Sequence, residues 1–158
     1  MQNRKSFLNL YIDQTPPDLF SDPSVYLCDL LTTGAVQVIS LNLEQVVLAQ
    51  DDPQYRKIIS EAELIIPDGV SIVWTYHFLD FFSARGSNFP LKKLAGIDLA
   101  AKLIESKQKI AIWGAKKEII ELLEKKLQGK LVFAEHGYFN LDQKDEILER
   151  LIKSKPDL

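Results

Sequence analysis

Five stretches of the chain set polar or conformationally free residues against apolar runs, and each offers a chemistry. In Ile65-Ile66-Pro67-Asp68-Gly69 a carboxylate follows a short apolar run and precedes a helical pattern. Asp68 would lie near a helix N-terminus, where the dipole favours negative charge. Gly69 admits close approach of a ligand or of backbone. The position suits an N-cap aspartate or a reacting carboxylate. Ser40 and Asn42, two apart at the end of VQVISLN, share a face. Buried polar side chains need partners, here a strand-end hydrogen bond or a bound ligand. Trp113-Gly114-Ala115 joins a strand pattern to a helical one. It reads as a phosphate site at a helix N-terminus or as a plain turn. Lys116 and Lys117 would attract a diphosphate or stay solvated. In His136-Gly137-Tyr138-Phe139 the imidazole could carry a proton and the rings could stack on a base or sugar, or the segment packs as a loop. Asp98, after Lys92-Lys93-Leu94-Ala95-Gly96, is a cap or a ligand contact.

These residues need a scaffold, and the apolar periodicity supplies one. Phe7 to Ile12 reads as a short strand, and Tyr26 to Leu31 as one or two helical turns between proline breaks. VQVISLN reads as a buried strand. The helix from Leu43 to Gln50 puts Leu43, Val46, Val47 and Gln50 on one side. Asp52 then caps a second helix with Pro53 at its first position and Tyr55, Ile58, Ile59 and Ala62 on one side. ELIIPDG is a strand running into a turn. A helix follows with Val70, Val73, Trp74 and His77 on one side, His77 reading as a core histidine. Ser83 to Pro90 is a loop. Gly96 to Ser106 is a helix, KIAIWG a strand, KKEIIELLEKKL a helix, KLVFAEHG a strand and QKDEILERLIKS a helix. KPDL reads as the opening of another strand. Strands alternating with helices of this length predict an α/β fold, a mostly parallel sheet flanked by helices. Its strand carboxyl ends, where ligands bind in such sheets, fall at Asn42, Asp68, Gly114 and His136.

Composition removes several classes of function. The 158 residues are 46% hydrophobic and 26% charged, the balance of one folded domain. The net charge of −3 argues against a nucleic-acid partner bound by phosphate neutralisation. The lone Cys28 makes no intrachain disulfide and reads as a small buried residue. The two histidines match no zinc spacing. No signal peptide and no membrane-spanning run is present, so a reducing cytoplasm is the expected compartment. After Gly114 the chain reads AKKEII, not G-x-G-x-x-G, which disfavours a nicotinamide dinucleotide enzyme. There is no G-x-S-x-G and no Walker loop.

The ordered set of segments resembles a known family. SLNLEQVVLAQDDPQYRKIISEAELIIPDGVSIVW, LKKLAGIDLAAKL, KIAIWGAKKEIIELLEKKL, AEHGYFN and ILERLIKSKPDL are similar, in order and spacing, to the bacterial WecG/TagA/CpsF glycosyltransferases. Those carry a T-x-N strand end, a P-D-G turn, an E-R-x-x-G-x-D segment, a G-G strand end, an H-G-Y-F segment and an S-x-P-D strand opening. The resemblance implies a Rossmann-like layered fold without a metal or other cofactor. It implies transfer of N-acetylmannosamine or a related sugar from a UDP donor to a polyprenyl-diphosphate-linked sugar, in cell-envelope or exopolysaccharide synthesis. Asp68 stands where the family's general base stands. Ser40, in place of Thr, and Asn42 would line the nucleotide-sugar cleft. Gly69, Gly96, Asp98, Gly114, His136 and Tyr138 match substrate-binding positions.

The departures carry their own expectations. Lys92-Lys93 replaces E-R, so Lys93 keeps a charge for the diphosphate without the bidentate fork. Ala115 replaces a second glycine. The family continues past S-x-P-D, so the resemblance implies a single α/β domain over 1–158 that is incomplete at its C-terminus. Residues 1–34 form an irregular segment and 35–158 the family-like core. An incomplete sheet implies pairing with a second copy or a partner chain. The expected site of action is the cytoplasmic face of the membrane, where a lipid-linked acceptor sits. The alternative is a degenerate, non-catalytic paralogue that still binds nucleotide sugar.

Overall fold

The computed structural model describes residues 4–14, 36–82, 91–105 and 108–157. Cys28, the helical turns read at 26–31 and the loop at 83–90 lie outside the described residues. The chain divides into two compact units, Met1–Leu103 and Ile104–Leu158.

The first unit begins with a hairpin, β1 (Arg4–Phe7) and β2 (Leu10–Asp13), paired antiparallel with Phe7 opposite Leu10. This corrects the single strand read over Phe7 to Ile12. The chain reverses at Leu8 and Asn9, both at positive φ (47° and 63°), the conformation of a two-residue hairpin turn. Asn tolerates that region but leucine does not advertise it, so no N-G or D-G marked the turn. Gln50 secures it by donating to the Leu8 carbonyl (2.9 Å) and accepting from the Asn9 side chain (3.2 Å).

The hairpin is clasped to the strand that follows. Asp13 is 2% exposed. It accepts from Arg4 Nε at 2.8 Å and Arg4 Nη2 at 3.2 Å, and from the backbone N–H of Ile65 at 2.7 Å. Arg4 also donates to the carbonyls of Ala62 and Glu63.

Strands β3 (Val38–Leu41) and β4 (Leu64–Pro67) pair parallel, with Ser40 opposite Ile66. A parallel pair needs a crossover, and α1 (Leu43–Asp51) and α2 (Pro53–Glu61) provide it. Asp52 caps α2 through the N–H groups of Gln54 and Tyr55, with Pro53 first in the helix, as the sequence predicts. Ile65 faces a core of Phe7, Leu10, Ile12, Leu41, Val46 and Ile72, whereas Leu64 and Ile66 face a smaller one with Leu94 and Leu99. Both faces of β4 are therefore apolar, as buried parallel strands are.

The helix faces are rotated from those predicted. In α1 the inward residues are Leu43, Val46 and Ala49, and Val47 is exposed. In α2 Ile59 is buried and Ile58 exposed. In α3 (Val70–Phe82) Ile72 and Tyr76 are buried, while Val70 and Trp74 are exposed. Tyr76 packs on Phe7 of the hairpin, with ring centroids 6.1 Å apart. The docked hairpin selects the inward face, and the helix's own periodicity does not reveal it. His77 is exposed, not a core histidine, and its Nε2 lies 3.3 Å from the Leu91 carbonyl. Helix α4 (Gly96–Glu105) ends the described part of this region.

Glu63 ties the start of β3 to β4 by accepting the Gln37 N–H at 2.7 Å. That bond, then the residue's own backbone N–H and, against burial, the charge of Arg4, hold its carboxyl below the usual 4.5. A carboxyl depressed by folding stabilises the native state above its unfolded pKa and loses that contribution as pH falls through the folded value. Glu63→Gln is thus expected to be less stable than the parent at neutral pH, and the gap should close in acid. Urea midpoints across that range check this, and a gap constant with pH contradicts it.

The second unit pairs β5 (Ile110–Trp113) with β6 (Leu131–Glu135), again parallel, around α5 (Lys117–Lys126). Ile110, Ile120, Phe133 and Ile147 of α6 (Lys144–Ser154) are its buried residues. Residues 155–157 form no strand, contrary to the reading of KPDL. Lys155 turns left-handed (φ 47°) after α6. Asp157 then exchanges two hydrogen bonds with Lys109 at the foot of β5, both 2.8 Å. The described residues form an α/β protein with six α-helices and three two-stranded sheets, two of them parallel.

Candidate functional site

The end of β4 is built to hold a carboxylate. The Asp68 N–H donates to the Leu41 carbonyl at 2.8 Å, extending the ladder one residue past the strand. The Pro67 carbonyl accepts the Leu94 N–H at 2.9 Å. That bond lays the segment before α4 alongside β4 and brings the start of α4 to the strand end. Asp68 Oδ2 then accepts the Ser40 hydroxyl at 2.6 Å and the Gly96 N–H at 3.2 Å. The positive end of α4 thus faces the carboxylate. Asp68 is half-buried, and its Oδ1 has no hydrogen-bond partner among the described residues. Of the two readings open for Asp68, the N-cap of its own following helix is not what forms. Ser40 likewise spends its hydroxyl on a neighbouring strand end.

Gly96 is fixed by space. A Cβ there would stand 2.5 Å from Ser40 Oγ and 2.9 Å from Ser40 Cβ. Gly96→Ala is expected to push Ser40 off Asp68 and cost about 1–3 kcal/mol through overpacking. Urea denaturation checks the cost, and a variant as stable as the parent would show that the contact has slack.

The other residues singled out from the sequence have mixed surroundings. Asn42 Oδ1 accepts the Gln45 N–H at 2.9 Å, and Gln45 returns a bond to the Asn42 N–H at 2.8 Å. This capping box starts α1 and leaves the Asn42 amide nitrogen without a partner among the described residues. Gly69 sits at φ +90° and swings the chain from Asp68 into α3. Lys93 is exposed, with no ion pair among the described residues, and Asp98 is exposed in the first turn of α4.

Gly114, His136 and Tyr138 meet in the second unit. The Gly114 N–H donates to the Glu135 carbonyl at 2.9 Å, and the Gly137 N–H to the Ala115 carbonyl at 3.0 Å. A Cβ on Gly137 would come within 3.3 Å of the Gly114 Cα, so the two turns touch backbone to backbone. His136 Nδ1 accepts the Tyr138 N–H at 3.2 Å, which places the ring proton of the neutral form on Nε2. Lys116, Lys117, Glu118, His136 and Tyr138 line an open cavity of about 390 Å³. Two cations, an imidazole and an exposed phenol there could receive an anionic, aromatic ligand. Ala115 adopts φ 62°, a region that disfavours any residue with a Cβ.

Sequence reasoning missed Glu118 as a wall of that cavity and missed that Glu135 braces it, accepting from Arg150 at 2.9 Å. Neither had a local signal. No group of three or more His, Cys, Asp or Glu among the described residues could hold a metal ion. No helix among them is long and apolar enough to cross a membrane.

Beyond the geometry, the sequence pattern of the glycosyl transferase WecG/TagA/CpsF family matches residues 6–158. The chain belongs to that family. The match confirms the resemblance carried by the P-D-G turn and the segments around it, and extends it back to the hairpin. Membership in the WecG/TagA/CpsF family makes the chain a transferase of glycosyl groups by class. The Ser40–Asp68–Gly96 cluster and the Gly114–Gly137 turns both fall inside the matched span.

Proposed function

We propose that this WecG/TagA/CpsF protein transfers N-acetylmannosamine or a related sugar from a UDP donor to a polyprenyl-diphosphate-linked sugar, with Asp68 as general base. The observation that carries the reading is the Asp68 carboxylate. One oxygen is held by Ser40 and Gly96 at the end of a parallel strand, and the other has no hydrogen-bond partner among the described residues. An ionised carboxylate so fixed can take the proton of an acceptor hydroxyl as that oxygen attacks the anomeric carbon. The bond from that carbon to the diphosphate breaks, and UDP leaves with the electron pair. Lys93 would offset charge on the departing diphosphate as a point cation.

Asn42 and Asp98 of the first unit, and separately Gly114, His136 and Tyr138 of the second, keep in this reading the substrate-binding roles that the family resemblance implies for each. The parallel pairs and their crossover helices are the units from which a Rossmann-like layered fold is built. The work belongs at the cytoplasmic face of the membrane in envelope or exopolysaccharide synthesis. No separate cofactor enters the chemistry.

One observation favours the second reading, a non-catalytic nucleotide-sugar-binding paralogue. Ala115 sits at positive φ where the family pattern has glycine, so this turn departs from its relatives at a conformationally demanding place. Saturable binding of UDP in a calorimetric titration is expected under both readings. No heat at millimolar nucleotide would remove them together, and a transfer assay with Asp68 variants separates them.

A further inference from the structure

The capping box at the head of α1 decides more than where that helix starts. Asn42 stands one residue past β3 with its backbone still extended (φ −113°, ψ 171°). It therefore falls on the same side as Ser40, two residues before it. Leu41 is opposite Pro67, so Asn42 and Asp68 are next in register at the two strand ends. On that side the Ser40 hydroxyl reaches Asp68 Oδ2. Asn42 and Asp68 are both half-buried.

The box also fixes which end of the Asn42 amide is presented. Only an oxygen can accept the Gln45 N–H, so Oδ1 is turned into α1 and the NH2 group is left over. Gln45 Oε1 holds the Asn42 backbone N–H in return. The free end of Asn42 thus offers donors alone, and the free oxygen of Asp68 is an acceptor alone. Neither Asn42 Nδ2 nor Asp68 Oδ1 has a hydrogen-bond partner among the described residues. Neighbouring strands run about 4.8 Å apart. Two hydrogen bonds of about 2.8 Å that meet on one oxygen span up to about 5.6 Å. A single hydroxyl oxygen can therefore bridge the pair, accepting from Asn42 and donating to Asp68.

We propose that Asn42 orients the reacting hydroxyl of the acceptor, with Gln45 as the residue that positions it. The proposal rests on the transfer reading and deepens it by naming a second group at the nucleophile. A hydroxyl held through one lone pair by Asn42 has its proton turned to Asp68 and its other lone pair free. The proton passes to Asp68 as that lone pair bonds the anomeric carbon, and UDP leaves with the electrons of the broken bond. Donor and acceptor side by side thus select a hydroxyl, which alone of the sugar's oxygens can both give and receive.

Asn42→Ser tests this without unseating the helix. Serine caps about as well as asparagine and changes no charge, but it withdraws the amide. The assay uses UDP-N-acetylmannosamine as donor and a farnesyl-diphosphate-linked N-acetylhexosamine as acceptor. For Asn42→Ser, kcat/KM for the acceptor is expected to fall about tenfold, the worth of one hydrogen bond, with UDP affinity and the urea midpoint unchanged. Asn42→Asp also caps, yet it turns a second acceptor towards the hydroxyl and should fall further. Gln45→Glu preserves the box and should match the parent. Parent-like acceptor kinetics in Asn42→Ser overturn the proposal. So does a loss confined to UDP affinity, or a loss of rate that follows the urea midpoint in both Asn42 variants. Asp68→Asn assayed beside them separates the two failures. A parent that depends on Asp68 but not on Asn42 removes this proposal alone, whereas a parent no faster than Asp68→Asn removes the transfer reading on which it stands.

Discussion

Asp68→Asn is expected to lower sugar transfer by roughly 10²–10⁴-fold, the range associated with loss of a general base. The substitution is nearly isosteric. An Asn carbonyl oxygen in place of Oδ2 still accepts from Ser40 and from the Gly96 N–H, so the strand end keeps its shape. What disappears is the ability to receive a proton at the open oxygen. Affinity for UDP should therefore persist while turnover falls, the signature of an interaction used in the transition state. Ser40→Ala is expected to act more mildly. It removes one of the two bonds that hold Asp68 Oδ2 but leaves the base in place. Equal rates for the parent and Asp68→Asn would show that some other group accepts the proton. Equal and negligible rates would favour the non-catalytic paralogue.

The largest effect on stability is expected at Asp13, far from this chemistry. Its carboxylate is almost wholly buried and joins the hairpin to β4 through Arg4 and the Ile65 N–H. Asp13→Ala leaves a guanidinium without its partner and a buried N–H without an acceptor. Breaking one half of a buried ion pair costs about 3–5 kcal/mol. Against a total stability of roughly 5–15 kcal/mol for such a domain, that is enough to unfold much of the population. Arg4→Ala should cost a comparable amount, because it strands the carboxylate. Replacing both residues with leucine should recover part of the loss, since neither charge is then buried alone. Urea denaturation of the three variants checks this. A loss below about 1 kcal/mol for Asp13→Ala would mean that the pair behaves as a surface salt bridge.

The contrast between these two residues shows what the sequence makes legible. Asp68 is visible because a strand pattern, a proline and a glycine surround it, and the ordered motifs give it a role. Asp52 and Pro53 are visible for the same kind of reason, since capping is local. Asp13 carries no local mark. Its partners are Arg4, nine residues away, and Ile65, fifty-two away, and only folding brings them together. The hairpin was hidden because Leu8 occupies a backbone region that its side chain disfavours. The inward faces of α1, α2 and α3 differ from the periodicity because a helix of nine to 13 residues with apolar residues on two sides leaves the choice to whatever docks on it. At the site, the motif order nominates Ser40, Asp68 and Gly96 one by one. It does not say that a hydroxyl 28 positions from the carboxylate would hold it, nor that Gly96 must be bare to let the two meet. For Asn42 the capping signal, a Gln three residues on, was present in the sequence and went unused.

The central claim is that the strand end at Asp68 receives a sugar nucleotide. Backbone amide NMR of the protein during titration with a UDP-linked N-acetylated hexosamine tests this directly. The account predicts saturable shifts of the Gly69 and Gly96 amides and of Ser40, reduced or relocated in Gly96→Ala. Amides there that stay fixed at saturating ligand, or a response confined to other parts of the chain, would contradict it.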